Sequence, residues 1–237
     1  MNPLLLCNLS NDMALASNVV PYVPPLRIQR MEQDLAMLAE LWDDGSKRPQ
    51  PWGWSRAAKA VFLKRGVDAC LLPSDALLDD WRILSSREFA VSYLKAFLSA
   101  CPSVPCVGNQ MFFLHSIEEL HSLPVPMIFK SPWSSSGRGV FVVERVDENV
   151  NQRLQGIVRR QGGFVVDEFY TEKHLDFAME FDITQNGDVR FLGYSVFETG
   201  TQGNYGYNLV DSQSHLQQLI EKTAGFSMDV LRNLHED

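Results

Sequence analysis

Along residues 28–41 the apolar side chains recur at Ile28, Met31, Leu35, Leu38 and Leu41, three or four positions apart. That is the period of a helix with one buried stripe. Residues 176–183 follow a different rule. Phe177, Met179, Phe181 and Ile183 alternate with Asp176, Ala178, Glu180 and Asp182, which predicts a strand with one apolar face and one largely acidic face. Asn186-Gly187 supplies the positive φ of a type I′ turn, and residues 189–197 return as the second strand of a hairpin. Elsewhere, short apolar runs and amphipathic stretches take turns. Leu4, Leu5 and Leu6 open a first buried strand, and Pro21, Pro24 and Pro25 stiffen the loop beyond it. Residues 55–65 read as a helix stopped by Gly66, 67–72 as a short apolar strand, and 85–100 as a helix ended by Cys101-Pro102. Strand and helix thus alternate over the first 80 residues, as in a small α/β unit with a parallel sheet. Farther on, Ser116-Ile117-Glu118-Glu119 has capping-box spacing. Strands are expected at 125–130, 140–144 and 164–170, with a polar helix at 147–160.

Composition narrows the classes. The chain has 237 residues, 45% hydrophobic and 21% charged, which is ordinary for a globular protein with a substantial core. Its formal net charge of −8 and pI near 5.1 exclude a global basic field for nucleic acid. No apolar run approaches the roughly 20 residues that span a bilayer, so no membrane partner is expected. Leu4-Leu5-Leu6-Cys7 resembles a lipoprotein cleavage site but lacks a positive leader and a long apolar region. Cys7, Cys70, Cys101 and Cys106 have no CxxC spacing; a reducing cytoplasm is the simplest setting. The five histidines show no metal-ligand spacing and read as surface or core residues.

Candidate chemistry gathers at residues 128–140, IFKSPWSSSGRGV. A strand ends on a cation, Lys130, and runs into three serines and Gly137-Arg138-Gly139. Free backbone N–H groups in such a loop approach phosphate oxygens closely, because no Cβ stands in the way. A strand-end lysine adds a point charge for the same phosphates. The loop is not a Walker A motif, since no lysine follows the glycines. It is not a dinucleotide fingerprint either, since the third glycine is absent and a strand follows. A plain hairpin loop is the alternative on these residues alone.

From Trp81 onward the order of features resembles the ATP-grasp family, mostly carboxylate–amine or carboxylate–thiol ligases. The resemblance covers about residues 81–230. It implies an ATP-grasp fold of α/β class with an N-terminal Rossmann-like unit: 1–80 as that unit, 81–163 as a first lobe with the phosphate loop, and 164–237 as an incomplete second lobe. By this resemblance Lys130, Ser134, Ser135, Ser136, Gly137, Arg138 and Gly139 hold ATP phosphates. Arg87, in Ser85-Ser86-Arg87, stands where the family has a second phosphate-binding lysine. Glu168, with Phe169 and Tyr170, lies at the adenine hinge, and Asp176 falls at the ribose position. Residues 226–231 resemble the strand bearing the first magnesium ligand, here Asp229. The Glu-x-Asn pair that the family carries one hairpin later does not occur before Asp237. The implied cofactors are ATP and magnesium, and the implied partners a small-molecule carboxylate and amine. The implied reaction is their ATP-dependent ligation through an acyl phosphate. The alternative is a nucleotide-binding or regulatory module with an incomplete metal site. Glu180, on the same strand face as Asp176, is a further carboxylate for that site. Trp52 and Trp54 are candidates either for a pocket between the N-terminal unit and the remainder or for an interdomain core. Residues 200–208 read as a lid or a surface loop. Asn8, Asn11 and Asp12 follow the first strand, either on the ligand side of a sheet or as turn formers.

Overall fold

The computed structural model of the chain describes residues 2–100, 102, 111–123, 125–134, 137–169, 172–184, 186–200 and 205–232. Ser135, Ser136, Tyr170, Cys101, Cys106, His235 and residues 201–204 of the candidate lid lie outside these residues. Helices and three sheets alternate along the chain, so the class is mixed α/β.

The N-terminal unit opens with β1 (Leu5–Leu6), α1 (Asn11–Ser17) and α2 (Leu26–Asp34), followed by β2 (Gln50–Pro51) and α3 (Arg56–Lys64). β1 and β2 run parallel, Leu5 opposite Gln50 and Leu6 opposite Pro51. The expected helix over 28–41 is split. α2 ends at Asp34, and Ala36–Trp42 tightens to a 3-10 helix. Its three-residue period rotates the stripe, so Ala39 is buried while Leu41 is 81% exposed. α3 starts as expected, with the Ser55 hydroxyl accepting from the Ala58 N–H. Gly66 stops the segment with φ +81, a conformation suited to glycine. The strand expected at 67–72 is instead a 3-10 turn, Ala69–Leu71, capped by the Asp68 carboxylate on the Cys70 N–H. Val67 and Leu72 still reach the core beside Phe62 and Ala58. Among the described residues the unit therefore holds a two-stranded parallel pair rather than a wound sheet. α4 (Asp75–Leu84) and α5 (Arg87–Ala100) follow, capped by the hydroxyls of Ser74 and Ser86.

The central sheet comprises β3 (Phe112–Leu114), β4 (Met127–Lys130), β5 (Val140–Val143) and β6 (Phe164–Glu168), in the order β3-β6-β4-β5 and antiparallel throughout. α6 (Glu148–Gln161) crosses between β5 and β6 and ends at Gly162, φ +85. Met127, Phe129, Phe164 and Val166 pack with Leu154 and Ile157 of α6. By strand alternation Ile128, Lys130, Val165 and Asp167 take the opposite face. The expected capping box is half present: Glu119 Oε1 accepts from the N–H groups of His115 and Ser116, both at 2.9 Å.

The third sheet is an antiparallel meander of β7 (Asp176–Ile183), β8 (Val189–Thr199) and β9 (Tyr205–Leu209). α7 (Gln213–Ala224) lays Leu216 and Ile220 against Tyr194 and Val196. The hairpin closes between Thr184 and Asp188, with Gly187 at φ +90 donating to the Thr184 carbonyl. Its loop is thus three residues long, not the two of a type I′ turn. A bulge between Glu180 and Phe181 interrupts the alternation. The magnesium-ligand strand expected at 226–231 is a helix, α8 (Asp229–Arg232). Met228 is fully buried and its N–H donates to Glu221, which pulls the chain into a turn.

Candidate functional site

The loop after β4 is folded tightly. The Ser131 N–H donates to the Gly139 carbonyl at 2.7 Å, and the Val140 N–H to that of Gly137 at 3.0 Å. Gly137 has φ +73. A Cβ on Gly139 would stand 2.6 Å from Ser134 Cβ and 2.8 Å from Ser131 Cβ, so only glycine permits this approach. Arg138 is exposed beyond the turn.

Three side chains from other elements hold the loop. Arg87, in the first turn of α5, donates from Nη1 to the Ser131 carbonyl at 2.5 Å and to Ser134 Oγ at 2.8 Å. Its Nη2 donates to the Ser134 carbonyl at 3.1 Å. Burial pulls the Arg87 guanidinium below its ordinary value, and the charge of Asp12 opposes that shift. Gln161 accepts from the Trp133 N–H at 2.9 Å. The Arg82 guanidinium lies 3.8 Å from the Trp133 ring centroid, and the Arg82 carbonyl accepts from Trp133 Nε1 at 3.1 Å. Arg87 is therefore bonded to the loop itself, in addition to any ligand that the loop takes.

Lys130 is ion-paired. Its Nζ donates to Asp167 Oδ2 at 2.6 Å, and the Asp167 side chain is only 9% exposed. Asp167 also accepts from the Glu168 N–H at 2.9 Å. Sequence reasoning missed Asp167, because the signal is cross-strand register. Lys130 faces Val165, so Asp167 lies two residues along on the same face. Glu168 is exposed and pairs with Met127. The ladder thus separates Glu168 from Lys130 by three residues, on the order of 10 Å. Phe169 follows, half-buried, at the end of β6.

Asp176 belongs to a different cluster. Oδ2 accepts from Lys173 Nζ at 2.7 Å, from Thr199 Oγ1 at 2.7 Å and from the Thr199 N–H at 3.0 Å. Burial alone would raise its carboxyl. The hydrogen bonds from Lys173 and Thr199 outweigh burial and hold the group below the usual carboxylate value. It lines a cleft of about 400 Å³ with Lys173, His174, Glu198 and Tyr207. Glu180 is exposed on the same strand. Asp229 pairs with Arg232 at 3.5 Å within α8. Among the described residues no group of three or more His, Cys, Asp or Glu side chains converges. This donor set does not fit magnesium, which wants several oxygen ligands around one point.

A second cleft, about 410 Å³, opens beside the loop. Asn11, Asp12 and Trp52 form one wall, and Arg87, Trp133 and Ser134 the other. Of the two candidate tryptophans, Trp52 lines this cleft. Trp54 packs inward, its ring 5.6 Å from Phe62 and 6.4 Å from Trp81. Asn8 and Asn11 act structurally. Asn8 Nδ2 donates to the Gly53 carbonyl at 2.7 Å and Oδ1 accepts from the Gly53 N–H at 3.3 Å; Asn11 Nδ2 donates to the Trp54 carbonyl at 3.4 Å.

No protein-family model matches the chain, and no curated protein does. Among solved structures it is similar to N5-carboxyaminoimidazole synthetase from Staphylococcus aureus complexed with ADP. There the identity is 12% over 62% of this chain and 38% of that one, with a TM-score of 0.36. L-amino acid ligase from Bacillus licheniformis matches at 15% identity over 86% and 46% of the two chains, TM-score 0.39. D-alanine–D-alanine ligase from Helicobacter pylori matches at 12% over 60% and 47%, TM-score 0.30. The chain spans less than half the length of each of these structures. Among the described residues no helix is long and apolar enough to cross a membrane.

Proposed function

We propose that the chain is a nucleotide-binding protein of ATP-grasp type, with ATP phosphates on the loop 130–139 and Lys130 as their cation. What supports this reading is the folded loop behind a strand-end lysine. Gly139 lets the chain close on Ser131 and Ser134 where a Cβ would clash, and Arg87 and Arg82 fix the loop from either side. A cation held in place at a strand end stabilises oxyanions with little reordering. Lys130 would exchange part of its contact with Asp167 for phosphate oxygen. Glu168 and the backbone after it would meet adenine, and Asp176 the ribose hydroxyls. As a ligase, a bound carboxylate oxygen attacks the γ-phosphorus while the bond to the ADP oxygen breaks. An amine lone pair then attacks the acyl carbon, the C–N bond forms, phosphate leaves with the C–O bonding pair, and the nitrogen loses a proton. In this reaction class the protein positions groups and neutralises charge.

Asp229, turned into a helix and paired with Arg232, favours a second reading: a module that binds ATP without turning it over. Titration calorimetry with ATP tests the binding shared by both. Lys130→Ala is expected to weaken affinity about tenfold or more, the effect of losing a charge-assisted contact. Equal affinity in the two proteins would remove Lys130 from the site. ADP release over a panel of carboxylates and amines then separates ligase from module.

A further inference from the structure

We propose that α2 docks against α2 of a second copy of this chain, antiparallel about a two-fold axis beside Met31. The inner side of the helix is already used. Ile28 is buried, Gln29 Nε2 donates to the Pro24 carbonyl at 2.7 Å, and Glu32 Oε1 accepts from the Ser10 N–H at 2.8 Å. The outer side is not. Leu26, Arg27, Arg30, Met31, Asp34 and Leu35 line an open groove of about 580 Å³, and their spacing of three and four residues puts them on one face. Leu26 is 61% exposed there. Among the described residues Arg27, Arg30 and Asp34 take part in no ion pair.

The order of charges along the helix points to the occupant. The first turn holds Arg27 and no acid, and the last turn holds Asp34 and no base. Both charges are the wrong way round for the helix dipole, which favours anions at the N-terminus and cations at the C-terminus. An antiparallel copy offsets both. Arg27 and Asp34 are each second from an end of the stretch 26–35, so Arg27 of one copy meets Asp34 of the other, twice, as a two-fold contact requires. Met31 meets its counterpart beside the axis. The two Arg30 side chains also come together there, and Asp34 of the opposite copy, within one turn of each, offsets their repulsion. The face carries two arginines against one aspartate, whereas the whole chain carries −8. The field that keeps copies apart is therefore weakest here.

α2 has nine residues and is about 14 Å long, too short alone to bury the roughly 1,000 Å² of a stable interface. Antiparallel packing adds its flanks, because the segment entering α2 in one copy runs beside the segment leaving it in the other. Val23 precedes the helix and Leu38 and Leu41 follow it, all exposed. Their burial contributes the apolar part of the contact, while the charge pairs set its direction. The contact uses no residue of the loop 130–139, so it is independent of nucleotide binding.

Sedimentation equilibrium on the full chain tests the proposal. A monomer–dimer equilibrium is expected. Asp34→Arg should weaken dimerisation about tenfold or more, because Arg27 then meets a like charge, and Arg27→Asp should do the same. Together the two changes swap the charges and also suit the helix dipole, so the double variant should dimerise like the unaltered chain. That recovery separates lost pairing from misfolding. A chain that stays monomeric up to its solubility limit would overturn the proposal, as would equal dimerisation by Asp34→Arg or no recovery in the double variant. A dimer that survives Asp34→Arg but is lost in Tyr207→Lys would put the contact at β9 and overturn it as well.

Discussion

Lys130 and Asp167 set the terms at the scale of single residues. Each satisfies the other across the β4–β6 ladder, and Asp167 is nearly enclosed. Removing one partner leaves a charge with poor solvation, which costs more than removing both. Lys130→Ala should therefore lower unfolding free energy by roughly 2–4 kcal/mol. The double change Lys130→Met with Asp167→Leu should recover most of that. Urea denaturation of the single and double variants checks it, and an additive result would show that the pair is uncoupled. Asp176 gives a second residue-scale expectation. Its folded pKa lies below the unfolded value of about 3.9. Its contribution is therefore complete above that value and lost as pH falls through the folded one. Asp176→Asn should destabilise the protein near neutral pH, and the difference should shrink below about pH 4. A gap that stays constant through the acid limb would contradict the assignment. The sequence marked Lys130 and Asp176 as functional groups. It gave no sign of Asp167, because register between β4 and β6 depends on chain that is distant in sequence.

Elements were legible where one period ran unbroken. β7 has the predicted bounds at both ends, and α5 and α6 lie within one or two residues of expectation. The reading failed where tertiary contacts overrode local pattern. Residues 67–72 are apolar enough for a strand but turn through a 3-10 helix, because burying Val67 and Leu72 suffices. Residues 226–231 lose their strand because Met228 is drawn under α7. The element that links the halves of the cleft is α4, through Arg82. Its Nε donates to the Leu15 carbonyl of α1 at 2.7 Å while the guanidinium covers Trp133. Arg82→Ala should remove a cation–π contact and a charged hydrogen bond, together about 1–3 kcal/mol. Hydrogen exchange at the Ser131 and Trp133 amides should accelerate. Unchanged exchange there would mean that Arg87 and Gln161 hold the loop alone.

At the scale of the molecule, the three sheets each carry their own apolar cluster. This division was partly readable from the alternation of strand and helix. The cleft beside the loop was not, since its walls come from residues 11–12, 52 and 85–87 as well as 132–134. β9 carries a different kind of consequence. It edges its sheet, and Tyr205, Tyr207 and Leu209 are 48%, 59% and 40% exposed. Such an edge is a template for sticking to another chain. What opposes this is the net charge of −8, which keeps copies apart at low ionic strength. Salt near 1 M shortens the Debye length to about 3 Å and removes that repulsion. Light scattering should therefore record faster clumping in high salt, and again as the pH approaches the pI near 5.1. A Tyr207→Lys substitution on the edge should suppress clumping in salt, because a lysine there must be desolvated before strands can join. Equal scattering by the two proteins would assign the colloidal weakness to another surface. Handling of the protein should then follow from β9: dilute buffers well above the pI keep it dispersed, whereas salting out and acid precipitation bring copies together along one strand.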